Sequence, residues 1–141
     1  MIVLDTNILS EIMKRSPGKA VTDWMIRQEA EELRTTAICQ AEILAGITVL
    51  PDGKRKRDLK RGASDVFSNV LRGKVLPFDS DAALHFANVI ALRRAAGLPI
   101  EAPDAMIAAI ALAHGASVAT RNIPDFTECG VVLHNPWDAS T

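Results

Sequence analysis

The chain contains no tyrosine, and aromatic residues make up only 4% of its 141 positions. A broad platform for stacking nucleobases is therefore not expected. Cysteine is nearly absent too, with Cys39 and Cys129 alone. Two cysteines cannot build a disulfide framework, and these lack the close pairing of a zinc site. Each lies among apolar neighbours and reads as a small buried hydrophobe. The three histidines, His85, His114 and His134, are far apart in sequence. His85 and His114 fall inside or at the end of helical runs, where packing or capping accounts for them. No apolar run approaches the roughly 18 residues needed to span a membrane. The N-terminus lacks a basic leader and soon reaches Asp5, so a signal peptide is not expected and the expected compartment is the cytoplasm. An excess of one charge is also missing: Lys and Arg total 16, Asp and Glu 17, for a formal net charge of -1. That balance excludes a strongly basic coat protein and an acidic solvating tail. It says nothing about where the charges sit.

What is present is an ordinary globular composition, 48% hydrophobic and 23% charged. The length suits one domain with a real core, and no repeat or linker divides it, so residues 1–141 are expected to fold as one unit. Met1-Ile-Val-Leu4 is a continuous apolar run that stops at Asp5-Thr-Asn7. A run without alternation predicts a strand buried on both faces, as in a parallel sheet. Helices are expected over 8–14, 21–32, 38–50 and 54–71, the last opening on a basic cluster. Ser80 is expected to cap a helix reaching Ala96, and Pro103 to open one ending before Gly115. Further strands are expected at 33–37, 74–78, 117–120 and 130–134. Alternation of strands and helices predicts a three-layer α/β sandwich around a parallel sheet.

Most of the acids need no special explanation, but four do. Asp5 directly follows the first strand, where open α/β sheets bind ligands; capping of the next helix explains it equally well. Glu42 shares a helical stripe with Ile38, Ala41, Ala45 and Val49, and a carboxylate buried on such a face costs several kcal/mol unless paired or metal-bound. An arginine partner is the structural alternative. Asp104 sits in a first helical turn, where the helix dipole alone favours it. Asp125 lies in the loop after the fourth strand, where turn chemistry favours it. Four acids converging on one sheet edge would repel one another without a counter-ion. Hard divalent cations such as Mg²⁺ take such oxygen ligands.

Taken together, Ile2-Val-Leu-Asp-Thr-Asn-Ile8, Ala41-Glu-Ile-Leu-Ala-Gly46, Asp104-Ala-Met-Ile-Ala-Ala109 and Ala119-Thr-Arg-Asn-Ile-Pro-Asp-Phe126 resemble a PIN-domain nuclease. More narrowly, they resemble the VapC/FitB-like toxins of bacterial toxin–antitoxin pairs. The likeness extends over the whole chain, including Asn135-Pro-Trp137. It implies a parallel five-stranded sheet with the acids at its switch point. By motif match Asp5, Glu42 and Asp104 fall on the family's acidic triad and Asp125 on its more variable fourth acid. Thr6 and Asn7 would shape the loop at Asp5, while Thr120 and Asn122 would support the site. The implied reaction is hydrolysis of an RNA phosphodiester with one or two Mg²⁺ or Mn²⁺ ions held by the carboxylates. The implied partners are a cognate antitoxin, whose C-terminal segment wraps the toxin, and a second copy in a homodimer or a larger complex.

Lys54, Arg55, Lys56, Arg57, Lys60 and Arg61 put six positive charges in eight residues. They read either as a solvated helix end or as a contact to the RNA backbone. Setting the four acids aside, 13 of the 17 remain against 16 bases, so an acidic pocket would sit in a mildly basic body. Other classes fit less well. A haloacid-dehalogenase-type phosphohydrolase needs a second Asp two residues after Asp5, and position 7 is Asn. A signal-receiver domain needs a Lys near its last strand, and none follows Lys74. The remaining alternative is a PIN-fold interaction module that binds DNA and regulates transcription with its antitoxin.

Overall fold

The sheet is organised around its first strand. In the computed structural model, which describes residues 1–138, β1 (Ile2–Leu4) runs parallel to β2 (Leu33–Thr36) on one side and to β4 (Ser117–Ala119) on the other. The edges are β3 (Val75–Leu76) and β5 (Leu133–His134), giving the order β3-β2-β1-β4-β5 with every pairing parallel. Val3 and Leu4 are fully buried, as an apolar run without alternation requires of a central strand covered on both faces. The chain leaves β1 in one direction toward β2 and later fills the other side with β4. The carboxyl ends of β1 and β4 therefore flank the switch point, where such sheets open a crevice. Residues 139–141, which the sequence assigns to the same domain, lie outside the described residues.

Helices cover the sheet. α1 (Thr6–Ile12) starts at once after β1 and buries Ile8 and Leu9. α2 (Lys19–Arg27) buries Val21 and Trp24 but stops short of the expected Glu32. Gln28 turns to extended backbone, and Ala30–Glu32 forms a separate 3-10 turn. Its acids have individual partners: Glu32 takes the N-terminal ammonium and Glu31 faces Lys74. α3 (Ala37–Thr48) is capped by Thr36, whose hydroxyl accepts from Cys39 N. α4 (Lys54–Asp65) runs into a π-helical turn, Val66–Val70. α5 (Ser80–Ala95) is capped by Asp79 rather than Ser80, because the Asp79 carboxylate reaches Ala82 N. α6 (Ala102–Ala113) has Pro103 in its first turn, buries Ala105 and every residue from 107 to 111, and ends before Gly115, whose φ of 62° suits only glycine well.

One expectation about burial is overturned. α3 buries Cys39, Ile43 and Ile47, whereas Ala41, Glu42, Ala45 and Val49 lie on its open face, Val49 being 82% exposed. A helix that is apolar all round does not reveal in sequence which stripe faces inward. Glu42 is therefore exposed rather than buried, and no arginine among the described residues pairs with it. The two edge strands are also shorter than the five residues expected, since Pro77 cannot donate to a ladder and Gly130 turns at φ 84°. Both cysteines are free and buried, as expected.

Candidate active site

Asp5 is the last residue before α1 and is only 5% exposed. Its backbone continues the sheet, with Asp5 N donating to Ala119 O. Its side chain is held at both oxygens. Oδ1 accepts from Thr6 N at 2.8 Å; Oδ2 accepts from Thr120 Oγ1 at 2.7 Å and from Asn7 Nδ2 at 3.2 Å. Asp5 caps α1 through Thr6 N, and the same residue borders a cleft. Asn7 also ties the two loops together, its Oδ1 accepting from Arg121 N at 3.1 Å. Thr120 Oγ1 accepts from Asn122 N, so Asn122 supports Thr120 through its backbone rather than its side chain. The Thr6 hydroxyl donates to Glu42 Oε1 at 2.7 Å, linking α1 to the open face of α3.

These residues border a cleft of about 430 Å³ whose lining includes Asp5, Glu42 and Asp104. The charges are strained. Burial raises the Asp5 carboxyl above its ordinary range, Glu42 raises it further, and the hydrogen bonds from Thr120, Thr6 and Asn7 oppose the rise. Asp104 is raised to about 6, first by burial and then by Asp5, Asp125, Glu42 and Glu101. No described group donates a hydrogen bond to its carboxylate and no cation pairs with it. Asp125 lies exposed in the 3-10 turn Ile123–Asp125 and acts on Asp104 through space without lining the cleft. Beneath the site the Cys39 thiol approaches Asp5 Oδ1 to 3.9 Å and is pushed up by burial and by that charge, which suits a buried, unreactive thiol.

The same cleft has a second wall that sequence reasoning missed. It contains Glu11, Lys14, Arg121 and Trp137. Glu11 is satisfied: Lys14 Nζ lies 2.6 Å away and Gly18 N donates to it, and both hold its carboxyl below the usual range. The Arg121 guanidinium lies 4.9 Å from the centre of the Trp137 ring. Arg93 was missed as well. It is 5% exposed at the end of α5 and has no carboxylate partner. Instead it donates to the carbonyls of Leu98, Pro99, Pro124 and Thr127 at 2.8 to 3.1 Å. These carbonyls bracket Asp125 and lead into α6, so one buried cation holds the turn that carries Asp125 and the loop that precedes the helix of Asp104. Only its place in the last turn of a helix, where cations are favoured, hinted at this.

The basic cluster stands apart from the acids, and none of its six residues lines the acidic cleft. Lys54 pairs with Asp58 and Arg61 approaches the same carboxylate. Lys56 is pinned, donating to Thr48 O at 3.1 Å and facing Asp52 at 3.4 Å. Lys54 and Arg55 instead border a neighbouring groove with Arg15 and Lys14, and Lys60 borders one between α3 and α4. Arg57 sits on α4 in no ion pair among the described residues. As the side chains stand, no three described His, Cys, Asp or Glu groups close around a common point as an ion's cage. No described helix is long and apolar enough to cross a membrane.

The PIN domain family matches residues 2–127 of the chain. A VapC ribonuclease, Y4jK of Sinorhizobium fredii, is 41% identical over 98% of this chain and 99% of its own length. The toxin FitB of Neisseria gonorrhoeae is 34% identical over 97% of this chain and 99% of its own. Among solved structures, FitAB bound to a DNA fragment matches with a TM-score of 0.90 and 34% identity, covering 98% of this chain and 96% of the other.

Proposed function

The chain belongs to the PIN-domain family, and on that premise we propose that it is a metal-dependent endoribonuclease, the toxin half of a toxin–antitoxin pair. The observation that carries this reading is that Asp5, Glu42 and Asp104 line one cleft. Four other acids raise the Asp104 carboxyl, and among the described residues neither a hydrogen-bond donor nor a cation relieves it. The donor set consists of hard carboxylate oxygens, the chemistry that Mg²⁺ and Mn²⁺ select. Asp5, Glu42 and Asp104 would hold one or two such ions, with Asp125 as an outer fourth acid. When bound, the metal lowers the pKa of a water and neutralises charge developing on the phosphate and the leaving oxygen.

The chain's own residues supply placement. Thr120, Asn7 and the Thr6 amide fix both oxygens of Asp5, and the Thr6 hydroxyl fixes Glu42. The packed alanines and isoleucines of α6 hold Asp104 at the rim of the same cleft. No acid acts as a covalent nucleophile in this scheme, and the products are a 5′-phosphate and a 3′-hydroxyl. The one domain would span residues 1–141 and work in the cytoplasm. A cognate antitoxin would restrain it within a homodimer or larger complex.

A second reading draws support from the FitAB structure on DNA. In it the chain serves with its antitoxin mainly as a transcriptional module. Incubating the purified chain with total RNA separates the two. The ribonuclease reading expects internal cuts bearing 5′-phosphates with Mg²⁺ or Mn²⁺, and none after chelation. RNA left intact under every metal condition would overturn it.

A further inference from the structure

Arg121 occupies an unusual position for an exposed arginine. Its backbone N–H is fixed by Asn7, the residue that also holds Asp5, so the main chain at 121 is built into the acidic site. Its guanidinium rests 4.9 Å from the Trp137 ring centre. A cation–π contact orients a guanidinium without consuming its N–H donors. No ion pair among the described residues consumes them either; Glu11, on which its charge acts, is already engaged by Lys14. Trp137 is itself fixed: its backbone N–H donates to Asn135 Oδ1, and its indole packs on the core. The result is a pre-aimed cation with unspent donors on the rim of a pocket crowded with carboxylates.

The surroundings extend this feature. Lys14 borders both the acidic cleft and the adjoining groove that contains Arg15, Lys54 and Arg55. In that groove Lys14 is paired with Glu11 and Lys54 with Asp58, which also borders it, so Arg15 and Arg55 are the cations there without an ion pair among the described residues. A polyanion lying across the cleft would meet carboxylates on one wall and Arg121 on the other, with the groove of Arg15 and Arg55 beyond. A small acidic metabolite would need no such length.

We propose that Arg121, aimed by Trp137, is a phosphate subsite for the RNA nucleotide next to the scissile bond, with Arg15 and Arg55 of the adjoining groove within reach of the phosphates that follow. This rests on the ribonuclease reading above. Arg121 is the binding residue, and Trp137 is a positioning residue that acts through it. Phosphate contacts of this kind set register and orientation without reading sequence.

The test uses the full chain carrying Asp5→Asn, so that RNA is bound without being cut. A short fluorescent single-stranded RNA is titrated at roughly 50 and 200 mM salt. Arg121→Gln is expected to weaken binding about 10-fold and to reduce the slope of log K against log salt by about 0.7, the value for one phosphate contact on a single strand. Trp137→Leu is expected to produce most of that loss, and the double variant little more than Arg121→Gln alone, because the two act as one unit. Arg121→Lys should restore the slope but not the dependence on Trp137. In the chain with Asp5 intact, Arg121→Gln should raise KM by a larger factor than it lowers kcat. Unchanged affinity and slope in Arg121→Gln, with the parent still cutting RNA, would overturn the subsite alone. A parent that neither binds nor cuts RNA would overturn both the subsite and the ribonuclease reading. Loss of antitoxin binding in Arg121→Gln with RNA binding intact would assign the surface to the protein partner and also overturn the proposal.

Discussion

Glu11 and Asp104 line the same cleft, yet their electrostatic situations are opposite. Glu11 receives Lys14 and the Gly18 amide and is held below its ordinary range. Asp104 receives no donor and is raised to about 6 by burial and by Asp5, Asp125, Glu42 and Glu101. An acid whose lone pairs are all engaged contributes to the scaffold. An acid left among like charges costs stability, and such strain is where function is found in folded proteins. The two acids of one cleft therefore differ in how far their charge is compensated.

The sharpest test of this contrast is activity. Asp104→Asn or Asp5→Asn should lower RNA cleavage by roughly 10³-fold, the several kcal/mol that a held cation contributes to a phosphoryl transition state. Glu11→Gln should cost less than about 10-fold, since it touches the scaffold wall. Steady-state kinetics on folded variants checks this, and equal losses at Glu11 and Asp104 would erase the distinction.

Arg93 probes the frame behind the acids. Arg93→Met leaves four carbonyls without their donor, and urea unfolding should show a loss of roughly 2 to 4 kcal/mol. Arg93→Lys should recover less than half of that, because an ammonium cannot reproduce the planar fork. A near-neutral Arg93→Met would show that the loops around Asp125 and Asp104 hold themselves.

Cation binding should appear as stability. At a concentration about 100 times its Kd, Mn²⁺ should add about 2.7 kcal/mol, read as a rise in Tm that a chelator reverses. Asp104→Asn should lose most of that rise, whereas Glu11→Gln should keep it.

The smallest effect is in the pH dependence of the ion-free protein. The Asp104 carboxyl goes from an ordinary 3.8 up to about 6 on folding. The folded state therefore holds its proton longer, and stability from this group falls as pH rises from about 4 past 6. Glu11 is lowered from 4.5, so its contribution is present above that value and is lost as pH falls below it. Chemical denaturation across pH 4 to 8 should show Asp104→Asn flattening the decline, with Glu11→Gln altering only the acid end of that window, around pH 4.5 and below. A decline unchanged in Asp104→Asn would place the strain elsewhere.

Local pattern was enough to read the parallel sheet and its helices, because the unalternating run at residues 1–4 and the Gly and Pro breaks are local signals. It also drew attention to Asp5, Glu42 and Asp104, which do line a common cleft. For Glu42 the stated reason failed: its stripe faces outward, and α3 is too uniformly apolar for periodicity to choose a face. The break after Arg27 and the choice of Asp79 over Ser80 as a cap turn on backbone angles that neighbouring polar residues leave open. Arg93, Glu11 and the Arg121–Trp137 pair were illegible for a different reason. Their partners lie between 3 and 34 residues away, and nothing in the sequence shows which of several similar side chains turns inward.

If the acidic wall holds a divalent cation for RNA cleavage, metal binding and cleavage must rise and fall together. Mn²⁺ binding, followed by its electron paramagnetic resonance signal, is measured in the same samples in which RNA cleavage is timed, for the parent chain, Asp5→Asn and Asp104→Asn. Binding and cleavage should appear together in the parent and disappear together in both variants. Cleavage that persists in a variant without bound Mn²⁺, or in a parent stripped of all divalent metal, would contradict the account.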